Sequence, residues 1–120
     1  MSVMLYDVAE DNQIVDSQVW TQVISRTGNL NSQPNFIFVS LEYGGSSANK
    51  EVGIRVLVNG TERSFDYHTP TLAGQYRKFC DFGFLQPATA GEYTISLEAR
   101  ALGVGQTVII RRIRLMIMQR

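Results

Sequence analysis

The sequence predicts an all-β domain, an antiparallel sandwich of two sheets with about seven or eight strands and with a jelly roll as the expected winding. Apolar residues alternate with period two in short runs that Gly, Asn, Pro and Ser bound, which is typical of half-buried strands. No segment has the periodicity of an amphipathic helix. With 120 residues, of which 44% are hydrophobic and 18% charged, the chain has the size and composition of one globular domain.

The clearest local signal is a β-hairpin over residues 51–67. Apolar residues alternate from Val52 to Val58, and the pair Asn59-Gly60 follows them. Asn-Gly favours a type I′ turn because both central residues of that turn need a positive φ.

Further strand patterns lie at residues 18–25, 35–43, 75–85, 92–100 and 107–119. In the second of these, Phe36 and Phe38 take the face opposite to the apolar series that starts at Ile37 and ends at Tyr43. Residues 26–34 are rich in Asn, Ser and Gly, so we expect a loop there.

The acidic first segment, residues 1–16, is expected to be an N-terminal arm or an edge strand. We expect the β-sandwich domain to occupy residues 17–120, with no internal repeat and no further domain boundary.

The last predicted strand breaks its own alternation. The series that includes Ile113, Leu115 and Ile117 would place Arg111 in the core. A β-bulge at Arg111-Arg112 removes this conflict because it shifts the phase of the strand. The outer face after the bulge then carries cationic and methionine side chains: Arg112, Arg114, Met116 and Met118. Outward methionines on a terminal strand indicate contact with another chain or with the N-terminal arm.

The end of the chain also carries a resemblance. Residues 90–100 read AGEYTISLEAR, a glycine turn follows, and residues 107–115 read TVIIRRIRL. This pattern resembles the closing hairpin of small sandwich domains in the virions of tailed phages, which occur in tail fibres, head fibres and capsid decoration proteins and are similar in shape to TNF- and C1q-like jelly rolls. The resemblance covers residues 35–118, and it implies a trimeric structural protein.

Within that resemblance we expect a capsid decoration (cement) protein. The chain begins at Met1 and ends shortly after its last strand, which fits a free-standing domain better than the tip of a fibre. Such a protein is made in the host cytoplasm, binds the major capsid protein at the outer capsid surface as a homotrimer, and stabilises the shell. The residues expected in the trimer contact are Phe36, Phe38, Arg112, Arg114, Met116 and Met118. The residues expected to attach to the capsid are Met4, Tyr6, Asp7, Glu10 and Asp11.

The alternative hypothesis is a receptor- or carbohydrate-binding module of a phage tail, a fibre or a surface protein, with a host-surface glycan as its partner. The aromatic residues that suggest a sugar-stacking platform are Trp20, Phe36, Phe38 and Tyr43. Packing in the core or in an interface is favoured for them because Phe has no polar group with which to hold a sugar hydroxyl.

Charge and cysteine content restrict the function classes. The chain has 11 basic and 11 acidic residues, and this zero net charge argues against a nucleic-acid-binding protein. The basic residues 111–114 are expected to pair with acids of residues 7–16 or of another chain rather than with phosphates. Its one cysteine, Cys80, excludes an intrachain disulfide. No signal peptide and no run of membrane-spanning length are visible, so no membrane partner is expected.

We expect no catalytic activity, cofactor or metal site. His68 is expected in a solvated loop, where no nucleophile can be assigned to it. Cys80 is expected to be a buried free thiol that packs as a small apolar residue. The acids of residues 7–16 match no calcium-loop spacing.

Overall fold

The computed structural model describes the backbone of residues 2–9 and both backbone and side chains of residues 11–119. The described residues form nine strands: β1 (Ser2–Ala9), β2 (Gln13–Val15), β3 (Thr21–Leu30), β4 (Asn35–Gly45), β5 (Val52–Val58), β6 (Thr61–His68), β7 (Arg77–Leu85), β8 (Gly91–Ala101) and β9 (Val108–Gln119). No helix with the length and apolar character needed to cross a bilayer occurs among them.

The strands form two antiparallel sheets that pack face to face. One sheet, here named the β9 sheet, has the order β1-β9-β4-β7, and β2 pairs with the first half of β9. The other, the β8 sheet, has the order β3-β8-β5-β6. From β2 to β9 this is the winding of a jelly roll, with β1 as an added edge strand beside β9. The predicted all-β sandwich is therefore confirmed.

The core lies between the two sheets, and its buried residues come from β2, β3, β4, β5, β7, β8 and β9. Alternation explains its membership, because successive side chains of a strand point to opposite faces. The inner face of β4 runs from Ile37 to Tyr43 as predicted, and its residues belong to the same core as the buried residues of β8. The largest fully buried side chains are Tyr43, Ile37, Leu41, Ile54, Ile95, Leu97, Ile110, Ile113, Leu115, Ile117, Val39 and Val52.

Local backbone geometry confirms the predicted hairpin turn and the predicted bulge. Asn59 and Gly60 join β5 to β6 with φ of 48° and 79°, as a type I′ turn requires. In β9, Arg112 has a φ of 55°, and the register with β4 shifts between Ser40 and Glu42. The bulge places Ile113 in the core and leaves Arg112 exposed.

The predicted loop over residues 26–34 is wrong in its first half, and the strand predicted at residues 18–25 begins later. β3 starts at Thr21 and continues to Leu30, which is buried. Its second half pairs with β8 as far as Gly91, so the long partner strand supplies backbone hydrogen bonds to a segment that is poor in strand-forming residues.

The first segment contributes strands to the β9 sheet. The backbone of β1 pairs with β9 from Ser2 opposite Gln119 to Ala9 opposite Ile113. After residue 10, β2 continues along β9, and its Val15 is buried in the core. Residues 1–16 thus lie along the sheet over most of their described length.

A buried glutamine, Gln106, holds together the loops at one end of the sandwich, and the sequence pattern did not predict this role. Gln106 is 2% exposed, and its Nε2 donates to the carbonyl oxygens of Ser47 and Lys50 at 2.8 and 2.7 Å. Its Oε1 accepts from the backbone N–H groups of Ser47 and Thr107 at 2.9 and 3.0 Å. A Cβ on Gly45 would lie 2.3 Å from Nε2, so only glycine leaves room for this side chain.

Gln106→Ala should lower the free energy of unfolding by about 2–4 kcal/mol, because it leaves several buried backbone groups without a partner. Urea unfolding followed by circular dichroism measures this change. Gln22→Ala, at an exposed position of β3, is the matched control and should change stability by no more than about 0.5 kcal/mol. Equal effects of the two substitutions would contradict the anchoring role.

Candidate interaction face

The outer surface of the β9 sheet carries a continuous patch of large apolar side chains. Phe36 of β4 lies opposite Phe84 of β7 and Met118 of β9, and one step along the strands Phe38 lies opposite Phe82 and Met116. Residues that face each other across an antiparallel pair project to the same side. We name this patch the phenylalanine face, and it consists of Phe36, Phe38, Phe82, Phe84, Met116 and Met118.

The phenylalanine face is open to solvent at β7. Phe82 and Phe84 are 66% and 67% exposed, and both rings lie 6.1 Å from the ring of Phe36. Single exposed apolar residues are ordinary on protein surfaces, but a contiguous group of aromatic and methionine side chains is not. Such a composition is typical of the cores of protein–protein interfaces.

A cationic hollow of about 240 Å³ lies on the same outer surface, further along the strands. Its lining residues are Ser40, Leu41, Glu42, Lys78, Arg112 and Arg114. Ser40 links it to the phenylalanine face, since Ser40 is two residues from Phe38 along β4 and pairs with Arg114 and Cys80. The β9 sheet therefore presents an apolar region and a basic region side by side.

Glu42 holds the bulge of β9 in place. Its Oε1 accepts from Arg111 Nε at 2.9 Å and from Arg112 Nη1 at 3.2 Å. The guanidinium of Arg111 also lies over the ring of Tyr76, 3.6 Å from its centre. The hydrogen bond from Arg111, joined by the positive charges of Arg112, Arg111 and Lys78, lowers the pKa of Glu42 from its ordinary value of 4.5, although partial burial opposes that shift.

The structure brings together the residues predicted for the trimer contact. Phe36, Phe38, Met116 and Met118 lie in the phenylalanine face, and Arg112 and Arg114 line the cationic hollow. Of the residues predicted for capsid attachment, Met4, Tyr6 and Asp7 belong to β1, whose side chains are not among those described, and Glu10 lies outside the described residues. Asp11 is exposed just before β2.

Sequence reasoning did not assign Phe82, Phe84 or Lys78 to this surface. The sequence pattern places Phe82 and Phe84 on the same side of the strand as Cys80 and places Phe79 on the opposite side. Because both sides carry aromatic residues, the pattern does not show which side faces solvent. Phe79 is the residue that packs into the core. The prediction that Cys80 is buried is therefore wrong: Cys80 is exposed, because its side of β7 is the outer one.

The aromatic residues proposed for a sugar-stacking platform do not lie together. Tyr43 is buried in the core, where its hydroxyl donates to Asp66 at 2.5 Å. Trp20 is associated with the outer surface of the β8 sheet, where the guanidinium carbons of Arg55 and Arg100 each lie 4.5 Å from its ring centre. Phe36 and Phe38 lie on the other sheet. The four residues therefore do not form one platform, because the fold places them in three different environments.

The residues with catalytic potential are engaged in structural contacts. His68 is the last residue of β6 rather than part of a loop, and its Nε2 lies 3.2 Å from the carbonyl oxygen of Gln75. Asp66 accepts from Tyr43 and pairs with Arg77 at 3.3 Å, so it does not orient His68. Among the described residues, no group of three or more His, Cys, Asp or Glu side chains is placed to hold a metal ion.

Comparison with known proteins identifies the architecture alone. No family model matches the chain. No curated protein matches it in sequence either. The sandwich is similar to part of the insecticidal delta-endotoxin Cry8Ea1 from Bacillus thuringiensis, with a TM-score of 0.58 and 16% identity over 90% of this chain and 20% of the toxin. It is also similar to part of the mosquito-larvicidal toxin Cry4Aa from Bacillus thuringiensis, with a TM-score of 0.50 and 16% identity over 89% of this chain and 19% of that toxin. The chain spans about a fifth of the length of either toxin, and at this identity the likeness is one of fold.

Glu42 should make the stability of the fold sensitive to acid. Because its pKa is lower in the folded protein, its ionised form stabilises the fold above the unfolded-state pKa, and this contribution is lost as the pH falls through the folded pKa. Urea unfolding between about pH 7 and about pH 3 should therefore show a smaller acid loss in Glu42→Gln than in wild type. The control is Glu92→Gln, at an exposed position of β8. An acid loss in Glu42→Gln equal to that of wild type would contradict the role of this carboxylate.

Proposed function

We propose that the protein is a structural protein that works by assembly: a capsid decoration protein of a tailed phage, which forms a homotrimer through the phenylalanine face and binds the outside of the capsid. The observation that carries the assembly part is the solvent-exposed row of Phe82 and Phe84 beside Phe36. The virion part rests on the resemblance of residues 90–115 to the closing hairpin of phage virion domains.

The phenylalanine face favours association because a monomer leaves its apolar side chains in water. Removing such surface from water yields about 25 cal/mol per Å², and aromatic rings bury large areas. The surface is also rigid, since every member of the face lies on a strand of one sheet. A rigid apolar surface loses little conformational entropy on binding, so more of the gain remains as affinity.

A closed trimer suits decoration of a capsid, because it matches local three-fold positions of the shell. Its stabilising action is additive: each trimer contacts neighbouring capsid subunits, so separating those subunits also requires breaking the decoration contacts. Met4, Tyr6, Asp7 and Glu10 are the proposed capsid contacts. Because β1 and β2 are strands of the β9 sheet and Val15 is a core residue, point substitutions such as Glu10→Lys test this attachment better than deletion of the segment.

Replacing Phe82 and Phe84 together by serine should convert a trimer of 13.5 kDa protomers into monomers over the micromolar range, because it removes the exposed centre of the phenylalanine face. Light scattering coupled to size exclusion measures the mass. The matched control is Phe65→Ser, since Phe65 is also an exposed phenylalanine of a strand but belongs to the β8 sheet.

The control should retain the mass of the wild type. A wild-type protein that stays monomeric at every concentration would contradict assembly through this face. A trimer that fails to sediment with undecorated capsids would leave the assembly in place and contradict the decoration role.

A further inference from the structure

The cationic hollow is suited to receive a carboxylate from outside the protomer. Three of its lining side chains are cationic, namely Lys78, Arg112 and Arg114, and one is acidic. The single acid, Glu42, is already engaged by Arg111 and Arg112. Lys78 adds a positive charge that none of the ion pairs described for residues 11–119 neutralises, and a cationic recess next to an apolar surface attracts a partner that presents carboxylates beside apolar side chains.

A surface of that description exists on the same chain. Ile14 of β2 is 66% exposed, and the exposed carboxylates of Asp11 and Asp16 flank it in the sequence. The ion pairs described for residues 11–119 involve neither of these two aspartates; they use Glu42, Glu62, Asp66, Asp81 and Glu98. We name residues 11–16 the acidic edge.

We infer that the occupant of the phenylalanine face and its cationic hollow is the acidic edge of a second copy of this chain, in a head-to-tail contact. This inference rests on the proposed assembly through the phenylalanine face and names the surface that binds there. Ile14 packs on the apolar part, and an aspartate that flanks it approaches Lys78.

The charge distribution disfavours the alternative contact, in which two phenylalanine faces meet across a two-fold axis. A two-fold contact on this surface whose axis runs along the strands sets the hollow of one copy against the hollow of the other, so that cations oppose cations with little water between them. A head-to-tail contact pairs unlike surfaces, and it forms a closed ring when the rotation between neighbours closes. The homotrimer of the proposed function is a ring of this kind.

Charge reversal tests the pairing. Two variants are compared with wild type: one carries Lys78→Glu, and the other carries Asp11→Lys together with Asp16→Lys. Each should raise the dissociation constant at low salt by about tenfold or more, because each brings groups of like charge together at the contact between protomers. The chain that carries all of these substitutions should bind more tightly than the two separate effects added together predict, because the new carboxylate at position 78 can then pair with a new lysine while Arg112 and Arg114 stay cationic. Sedimentation equilibrium at low and at high NaCl measures the constants, and salt should weaken wild-type association.

The matched control is Glu92→Lys, at an exposed position of β8 in the β8 sheet, which should leave the constant unchanged. Circular dichroism and thermal unfolding of each variant exclude loss of fold as the cause. Association that survives Lys78→Glu but is lost on replacing Phe82 and Phe84 by serine would overturn the acidic edge as occupant and leave the proposed assembly standing. Strictly additive effects in the combined chain would also overturn the pairing, whereas a monomeric wild type would remove the proposed function itself.

Discussion

The β-bulge in β9 is the constraint on which the rest of the structure depends. β9 pairs with β1, β2 and β4, so it holds the whole β9 sheet together. Without a change of phase at Arg112, the strand would bury an arginine or expose its isoleucines. The bulge lets both halves of β9 face the core correctly, and Glu42 fixes it by accepting from both neighbouring arginines. The same change of phase turns Met116 and Met118 outward, which extends the phenylalanine face.

This arrangement couples stability to the surface that we propose for assembly. The bulge exposes Arg112 at the rim of the cationic hollow, and the strand beyond it supplies the methionines of the apolar region. One local irregularity therefore sets the border between the basic and apolar parts of the outer surface. A monomeric protein gains nothing from such a surface, whereas a ring of copies uses both parts, one for affinity and one for orientation.

Features that depend on the local sequence pattern were predicted correctly, whereas features that depend on contacts between distant parts of the chain were not. The hairpin at Asn59-Gly60 and the bulge at Arg112 follow from turn chemistry and from a break in alternation, and both are confirmed. The extension of β3 to Leu30 depends on backbone partners in β8, and the anchoring role of Gln106 depends on Ser47 and Lys50, more than fifty residues away. Four of the six residues of the phenylalanine face were predicted from the sequence, but β7 has aromatic residues on both sides, and only the fold shows which side is the outer one.

The central claim, that copies of this chain cover the phenylalanine face, can be tested through Cys80. It is the only cysteine of the chain, and it is exposed on β7 two residues from Phe82. The rate at which Cys80 reacts with a small maleimide should fall as the protein concentration passes through the range in which the mass rises from monomer to trimer. A rate constant that is independent of concentration while the mass rises would contradict the account, because assembly would then leave this face open.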